Sequence, residues 1–152
     1  MMFSPDSKRL AAGANNGHVY IWLTSDFNQE NLLKSHSGGS FSLAFSADGK
    51  SLISGGEDGK IVLWDLITSR MLFASKVHSQ RIWSVAFSPD GNRIVSGSAD
   101  FTVGITDARS GELVLRIAEG RSGIYNVSFT PDGRKILANE TNGRTLLFDG
   151  SK

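Results

Sequence analysis

Three polar residues of this 152-residue chain have the types that hydrolytic chemistry needs. His36, Ser54 and Asp58 could serve as base, nucleophile and orienting carboxylate. The same three types recur 42 positions later, as His78, Ser96 and Asp100. An enzyme needs one such set, whereas a structural role can recur with every repeat of a fold. The repetition therefore favours a structural network, and we predict no catalytic residue here.

The sequence gives little support for a metal or phosphate site. Cysteine is absent, and the three histidines are scattered without the close spacing of metal ligands. The glycine-rich stretch at 37–40 is not followed by a Lys-Ser/Thr pair or by a helical pattern, as a phosphate-binding loop would be. We expect neither a metal nor a cofactor.

A short kernel organises the whole chain. It reads FSPDS, FSADG, FSPDG and FTPDG, and its phenylalanines, Phe3, Phe45, Phe87 and Phe129, are spaced 42 residues apart. Short runs of β type precede the last three kernels and follow all four, and each kernel contains a turn sequence in which proline or alanine precedes an aspartate. A repeat of this length indicates units that bury their apolar faces by stacking on one another.

Each unit carries further strand and turn signals at fixed positions. A second turn occupies 15–17, 57–59, 99–101 and 141–143, and a largely apolar strand follows it. A fourth strand is predicted near Leu72 and Val114, and less clearly near Leu32. Four antiparallel strands per unit, without a helical period, are typical of the blades of a β-propeller, an all-β fold.

The second repeat resembles the WD-repeat family of β-propellers. The resemblance rests on the Trp-Asp pair that ends IVLWD at 61–65, on Ser54-Gly55, on Asp58, and on His36 and His78 ahead of their repeats. It implies a hydrogen-bonded chain inside the blade, in which Asp58 accepts from His36, His36 meets the Ser54 hydroxyl, and that hydroxyl meets the Trp64 indole. His78, Ser96 and Asp100 are expected to repeat the first part of this network.

The number of repeats predicts an open arc and not a closed ring. Propellers take ~4 to 8 blades, whereas the four units here, 1–36, 37–78, 79–120 and 121–152, amount to two complete blades between two partial ones. About fourteen strands are expected on this reading. The chain is either a fragment of a larger propeller, one half of a homodimer that closes an eight-bladed ring, or an arc that exists alone; we favour the fragment.

The charge and the apolar content of the chain argue against nucleic acid and membranes as partners. Sixteen basic and fifteen acidic residues give a net charge of +1, so no strong field attracts nucleic acid or an anionic membrane. No stretch approaches the ~20 apolar residues of a membrane-spanning helix, and no signal-peptide pattern opens the chain. The lack of cysteine fits a reducing compartment, so we expect a cytoplasmic protein.

The residues that precede each innermost strand carry the candidate binding site. Three aromatic residues stand 42 positions apart there, and two arginines and a glutamate lie beside them: Phe41, Trp83, Tyr125, Arg81, Arg121 and Glu57. In the WD-repeat family this position tends to lie at the mouth of the central channel, on the face used for partners. Trp, Tyr and Arg are enriched in binding hot spots. We therefore predict a non-catalytic scaffold for protein–protein interaction.

Three alternatives stay open. The aromatic residues could pack between blades and bind nothing. The chain could be a propeller enzyme or ligand-binding propeller, which would need a unique cluster of polar groups near the channel mouth. By resemblance only, such uniform repeats could form the sensor region of a larger signalling ATPase.

Overall fold

The computed structural model describes residues 1–118 and 120–150, and within this part the fold is all-β, as the repeats predict. Glu119 and the last two residues of the fourth predicted unit lie outside the described residues. No helix in the described part is long and apolar enough to cross a bilayer.

The strands form four separate antiparallel sheets, each a meander in chain order, which we call blades 1 to 4. Blade 1 contains β1 (Met2–Phe3), β2 (Arg9–Gly13), β3 (His18–Leu23) and β4 (Gln29–Lys34). Blade 2 contains β5 (Ser40–Phe45), β6 (Ser51–Gly56), β7 (Lys60–Asp65) and β8 (Arg70–Lys76). Blade 3 contains β9 (Ile82–Phe87), β10 (Arg93–Ser98), β11 (Val103–Asp107) and β12 (Leu113–Ile117). Blade 4 contains β13 (Ile124–Phe129), β14 (Lys135–Glu140) and β15 (Thr145–Asp149).

The described residues form fifteen strands, one more than the approximate number expected from the sequence. Blade 1 has a short innermost strand, β1, and its fourth strand, β4, is of full length. The arc is open, since no hydrophobic cluster of the described residues joins blade 4 to blade 1. Innermost strands of neighbouring blades contact one another, β5 with β9 and β9 with β13.

Each kernel forms the corner between the first two strands of its blade. In blade 3, the Ser88 hydroxyl donates to Asp90 Oδ1 at 2.5 Å, and the same oxygen accepts from Asn92 N at 3.1 Å. The fourth corner residue has a left-handed backbone, with φ of 73° at Gly91 and 60° at Ser7. Proline, aspartate and glycine recur because this corner needs a fixed φ, an acceptor and a left-handed residue in turn.

The hydrophobic core is divided among the three interfaces between blades. One cluster joins blades 1 and 2, a second joins blades 2 and 3, and a third joins blades 3 and 4. The two faces of β7 supply different clusters: Val62 packs toward blade 1, and Ile61 and Leu63 pack toward blade 3. Each fully buried aliphatic side chain stabilises the fold by about 1.5–3 kcal/mol. The stacking of blades is therefore the main source of stability.

The kernel phenylalanines show how burial depends on a preceding blade. Phe45, Phe87 and Phe129 pack in the interfaces toward blades 1, 2 and 3 respectively. Phe3 has no described blade before it and is 59% exposed. The kernel phenylalanines therefore have equivalent surroundings only where a preceding blade is present.

Glycine is required where one blade approaches the next. A Cβ placed on Gly55 would lie 2.7 Å from Ile82 Cγ2, and one placed on Gly97 would lie 2.7 Å from Ile124 Cγ2. Real Cβ atoms do not tolerate such distances, so the innermost strand of the following blade occupies the space that a side chain would need. Blade 4 has Asn139 at this position, on its outward face, where no described blade follows.

Candidate functional site

The first histidine set has the connectivity of a catalytic triad. His36 Nδ1 lies 3.0 Å from Asp58 Oδ1, and His36 Nε2 lies 2.9 Å from Ser54 Oγ. Asp58 also accepts from Ser37 N at 3.2 Å and from Lys60 N at 3.1 Å. The network thus ties the segment ahead of β5 to the turn between β6 and β7.

The second set repeats this geometry in blade 3. His78 Nδ1 lies 3.2 Å from both carboxylate oxygens of Asp100, and His78 Nε2 lies 2.8 Å from Ser96 Oγ. Thr102 Oγ1 adds a further contact, 2.9 Å from His78 Nδ1. Both serines are fully buried, so no substrate could reach either hydroxyl.

The protonation of these groups follows from burial. Burial lowers the pKa of His36 and His78, and the neighbouring aspartates offset this only in part. Burial raises the pKa of Asp100, but hydrogen bonds from Thr102 and Ser79, together with His78, outweigh it and bring the pKa to about 2. Each pair therefore joins a neutral imidazole, which donates through Nδ1, to an ionised carboxylate. The serine hydroxyl donates to Nε2.

The last link of the predicted network is missing. The Trp64 indole Nε1 is buried without a hydrogen-bond partner among the described residues, so the predicted bond between this indole and the Ser54 hydroxyl is wrong. Trp64 instead belongs to the hydrophobic cluster between blades 1 and 2 and is 6% exposed. Its ring contributes through burial of apolar area rather than through the network.

Stability should depend on pH through these histidines. Their pKa values are lowered in the native state, so as the pH falls from about 7 to about 5 the unfolded chain, with pKa near 6.5, takes up protons that the native state excludes. The free energy of unfolding should therefore fall over this range. Urea unfolding at the two pH values measures it, and His78→Gln should reduce the slope. A flat profile would contradict burial of the neutral rings.

Sequence reasoning missed a buried carboxylate in blade 4. Glu140 is fully buried, and its Oε1 accepts from the backbone N–H groups of Arg121 and Ser122. Arg144 Nη1 lies 3.2 Å from Oε2. Burial raises the pKa of Glu140, but these amides and Arg144 outweigh it, and the net pKa is lowered.

Glu140 takes over a task that the network aspartate performs in blades 2 and 3, because it accepts from the backbone N–H of the residue equivalent to Ser37 and Ser79. Blade 4 has Gly120 where blade 3 has His78, and Asn142 where blade 3 has Asp100. The segment ahead of β13 is instead held by the Glu140 carboxylate. An acidic residue at the end of the predicted strand KILANE was the available signal in the sequence.

Three of the six predicted binding residues form one cluster, which we call the rim cluster. The guanidinium carbon of Arg81 lies 5.9 Å from the centroid of the Phe41 ring, and Arg81 Nη2 lies 3.6 Å from Glu57 Oε1. Phe41 is 44% exposed, although it is a large apolar residue. The cluster joins blade 2 to blade 3 at the beginning of their innermost strands.

The other three predicted residues lie apart from this cluster. The half-buried Trp83 ring packs on Gly123, where an added Cβ would lie 2.4 Å from Trp83 Cζ3. Tyr125 is 51% exposed, and Arg121 is exposed while its backbone donates to Glu140. Among the described residues, no hydrogen bond, ion pair or ring contact joins Tyr125 or Arg121 to the rim cluster.

Comparison with known proteins agrees with the geometry of the blades. A family model described as WD domain, G-beta repeat matches residues 1–22, 27–65 and 70–107. A search of curated proteins found no match. Within residues 1–118 and 120–150, no group of three or more His, Cys, Asp or Glu side chains is arranged to hold a metal ion.

Proposed function

Since this chain belongs to the WD40 repeat family, we propose that it is a non-catalytic scaffold whose rim cluster binds a protein partner. WD40 repeats generally serve as interaction scaffolds. Function in such a scaffold lies in the residues that the blades display. The rim cluster is the displayed group with the composition of a binding hot spot.

The exposed Phe41 beneath Arg81 is the observation that carries this proposal. An exposed aromatic ring with a guanidinium above it offers a partner both apolar area and a charge. The Arg81–Glu57 pair is about half exposed, and such surface pairs contribute little to stability, a median of about 0–1 kcal/mol. Stability alone therefore gives a weak reason for this arrangement, which fits recognition better.

Capture with charge-reversed bait tests the proposal. Immobilised wild-type protein and the variant Arg81→Glu are compared in an extract of the native cell, with Arg134→Glu as a matched control in the exposed corner of blade 4. We expect proteins that the wild type and Arg134→Glu retain and that Arg81→Glu loses. Identical sets from all three baits would contradict binding at the rim cluster.

Trp83→Ala separates binding from packing. Because the half-buried ring lies on Gly123, we expect the free energy of unfolding to fall by about 1–2 kcal/mol, less than for a fully buried tryptophan. If Trp83 also belongs to the binding surface, capture of the same proteins should fall ~10-fold or more, as at a hot spot. A large loss of stability with capture unchanged would assign Trp83 to packing between blades 3 and 4.

The outward face of blade 1 supports the view that the chain is part of a larger propeller. Leu10, Ala12 and Trp22 line a recess of about 260 Å³ together with Met1 and Phe27. Their equivalents in blade 2, Leu52, Ser54 and Trp64, are buried. We infer that another blade covers this face.

The covering blade belongs either to a longer chain, which we favour, or to a second copy that completes an eight-bladed homodimer. Light scattering on the purified chain separates the two. A discrete dimer supports the second copy, and polydisperse aggregate supports the longer chain, whose apolar face is then uncovered.

A further inference from the structure

An open groove separates blades 2 and 3 at the ends of their innermost strands, on the side away from the rim cluster. Its volume is about 410 Å³. Apolar side chains form its walls and the aspartates of two kernel corners stand at its edges: Leu63, Leu72, Phe87, Ala108, Asp48 and Asp90. Ser51 also lines it.

The corresponding space between blades 3 and 4 is filled by an arginine. Arg93, which stands 42 residues after Ser51, places its guanidinium carbon 5.4 Å from the centroid of the Phe129 ring. Phe129 is the equivalent of Phe87. Arg93 Nη1 also donates to the carbonyl of Gly150.

The corresponding space between blades 1 and 2 is also filled. Leu66, the equivalent of Ala108, is 3% exposed and packs in the same cluster as Phe45. Arg9, the equivalent of Ser51, is held by Glu30 through Nε at 2.7 Å and Nη2 at 3.0 Å. The groove between blades 2 and 3 is therefore open chiefly because Ser51 stands where both neighbouring repeats have an arginine. Ala108 is also smaller than Leu66, whereas blade 4 has Gly150 at this position and the space there is filled by Arg93.

Both aspartates at the edges of the groove are ionised at neutral pH, and Lys50 and Arg93 are near them. The Ser88 hydroxyl and the Asn92 amides lower the pKa of Asp90 to about 2. The Ser46 hydroxyl and the Lys50 amide lower the pKa of Asp48 in the same way. Only Oδ1 of Asp48 is used in these bonds, at 2.7 Å and 3.0 Å, so Oδ2 is available to a ligand.

We propose that this groove binds an arginine side chain of a protein partner. The guanidinium lies over the Phe87 ring, as that of Arg93 lies over Phe129, and pairs with the carboxylates of Asp48 and Asp90. The methylene stem packs against Leu63 and Leu72. Arginine suits this site better than lysine, because its planar, weakly hydrated guanidinium can stack on a ring while its N–H groups donate within the guanidinium plane.

Titration with N-acetyl-arginine methylamide, followed by amide NMR shifts of the full chain, tests the proposal. The matched probe is the citrulline compound, which has nearly the same shape and no charge. We expect saturable shifts at the Asp48 and Asp90 corners with the arginine compound at millimolar concentrations, and binding at least ~10-fold weaker with citrulline.

Two variants sharpen the test. Ser51→Arg supplies the missing side chain from within and should abolish the saturable shifts, while Asp90→Asn should weaken binding several-fold. Arg81→Glu, in the rim cluster, should leave binding unchanged, so this result is independent of the rim proposal. Equal binding of citrulline, unchanged binding by Ser51→Arg, or no saturable shift in the wild type would each overturn the inference.

Discussion

Gly97→Val should lower the free energy of unfolding by about 1–3 kcal/mol, or more if the backbone cannot shift. The new Cβ would lie 2.7 Å from Ile124 Cγ2 and 2.8 Å from Val127 Cγ1, both on the innermost strand of the next blade. Valine favours β-strands more than glycine does, so strand propensity alone would raise the free energy of unfolding. Chemical denaturation measures the change, with the slope m as a check on two-state behaviour.

Asn139→Val is the matched control, because it places the same side chain at the same position of blade 4. Asn139 lies on the outward face and makes only partly exposed bonds, to Asn126 at 3.4 Å and from Thr145 at 2.9 Å. The change should cost less than about 1 kcal/mol. Equal losses from both substitutions would show that valine is excluded by the strand and not by a neighbouring blade.

Asp58→Ala should lower the free energy of unfolding by about 1–3 kcal/mol, since it leaves the buried Nδ1–H of His36 without an acceptor. It also removes the acceptor of Ser37 N and Lys60 N. Asp26→Ala is the control: Asp26 is exposed and, within the described part of the chain, accepts hydrogen bonds from its own turn alone, from Asn28 and Ser25. Thermal or urea unfolding of both variants gives the comparison, and similar losses would contradict a stabilising buried network.

The equivalent change in blade 3 refines this prediction. Asp100→Ala leaves His78 Nδ1 with Thr102 Oγ1 at 2.9 Å as an alternative acceptor. The loss should therefore be smaller than for Asp58→Ala, although the aspartates occupy the same position of their repeats. A larger loss in blade 3 would contradict this ranking and would point to the bonds that have no counterpart at Asp58, from Thr102 Oγ1 at 2.7 Å and Ser79 Oγ at 3.3 Å.

The 42-residue register was enough to predict the strands, the corners and the blades. The register is informative because residues at the same position of different repeats have similar burial. Leu52 and Ile94, for example, occupy the same position and are both fully buried. The histidine pairs were predictable for the same reason. Four copies of one pattern average out the ambiguity that any single short strand carries.

The register could not predict features that break it. The role of Glu140 in blade 4 becomes visible only when the amides of Arg121 and Ser122 are seen to converge on its carboxylate. The open groove arises because Ser51 replaces the arginine of the neighbouring repeats, next to Ala108, which is far from it in sequence. The unpaired indole of Trp64 likewise depends on ring placement that the sequence does not specify.

For the predicted binding residues too, the sequence predicted their position in the repeat but not the contacts of their side chains. Spacing predicted that Phe41, Trp83 and Tyr125 share a position, and their different exposures follow from different neighbours. Trp83 lies on Gly123 of the next blade, whereas Phe41 meets the side chain of Arg81. Residue types alone could not distinguish the ring that packs from the ring that is displayed.

Nuclear Overhauser spectroscopy of the full chain tests the stacking of blades most directly. We predict cross-peaks between the Hα protons of Gly55 and the Cγ2 methyl of Ile82, and between those of Gly97 and the Cγ2 methyl of Ile124, because these atoms are in van der Waals contact across two successive interfaces. The two pairs are both 27 residues apart, so one geometry should give both signals. Absence of both cross-peaks in the folded protein would contradict the stacked arrangement.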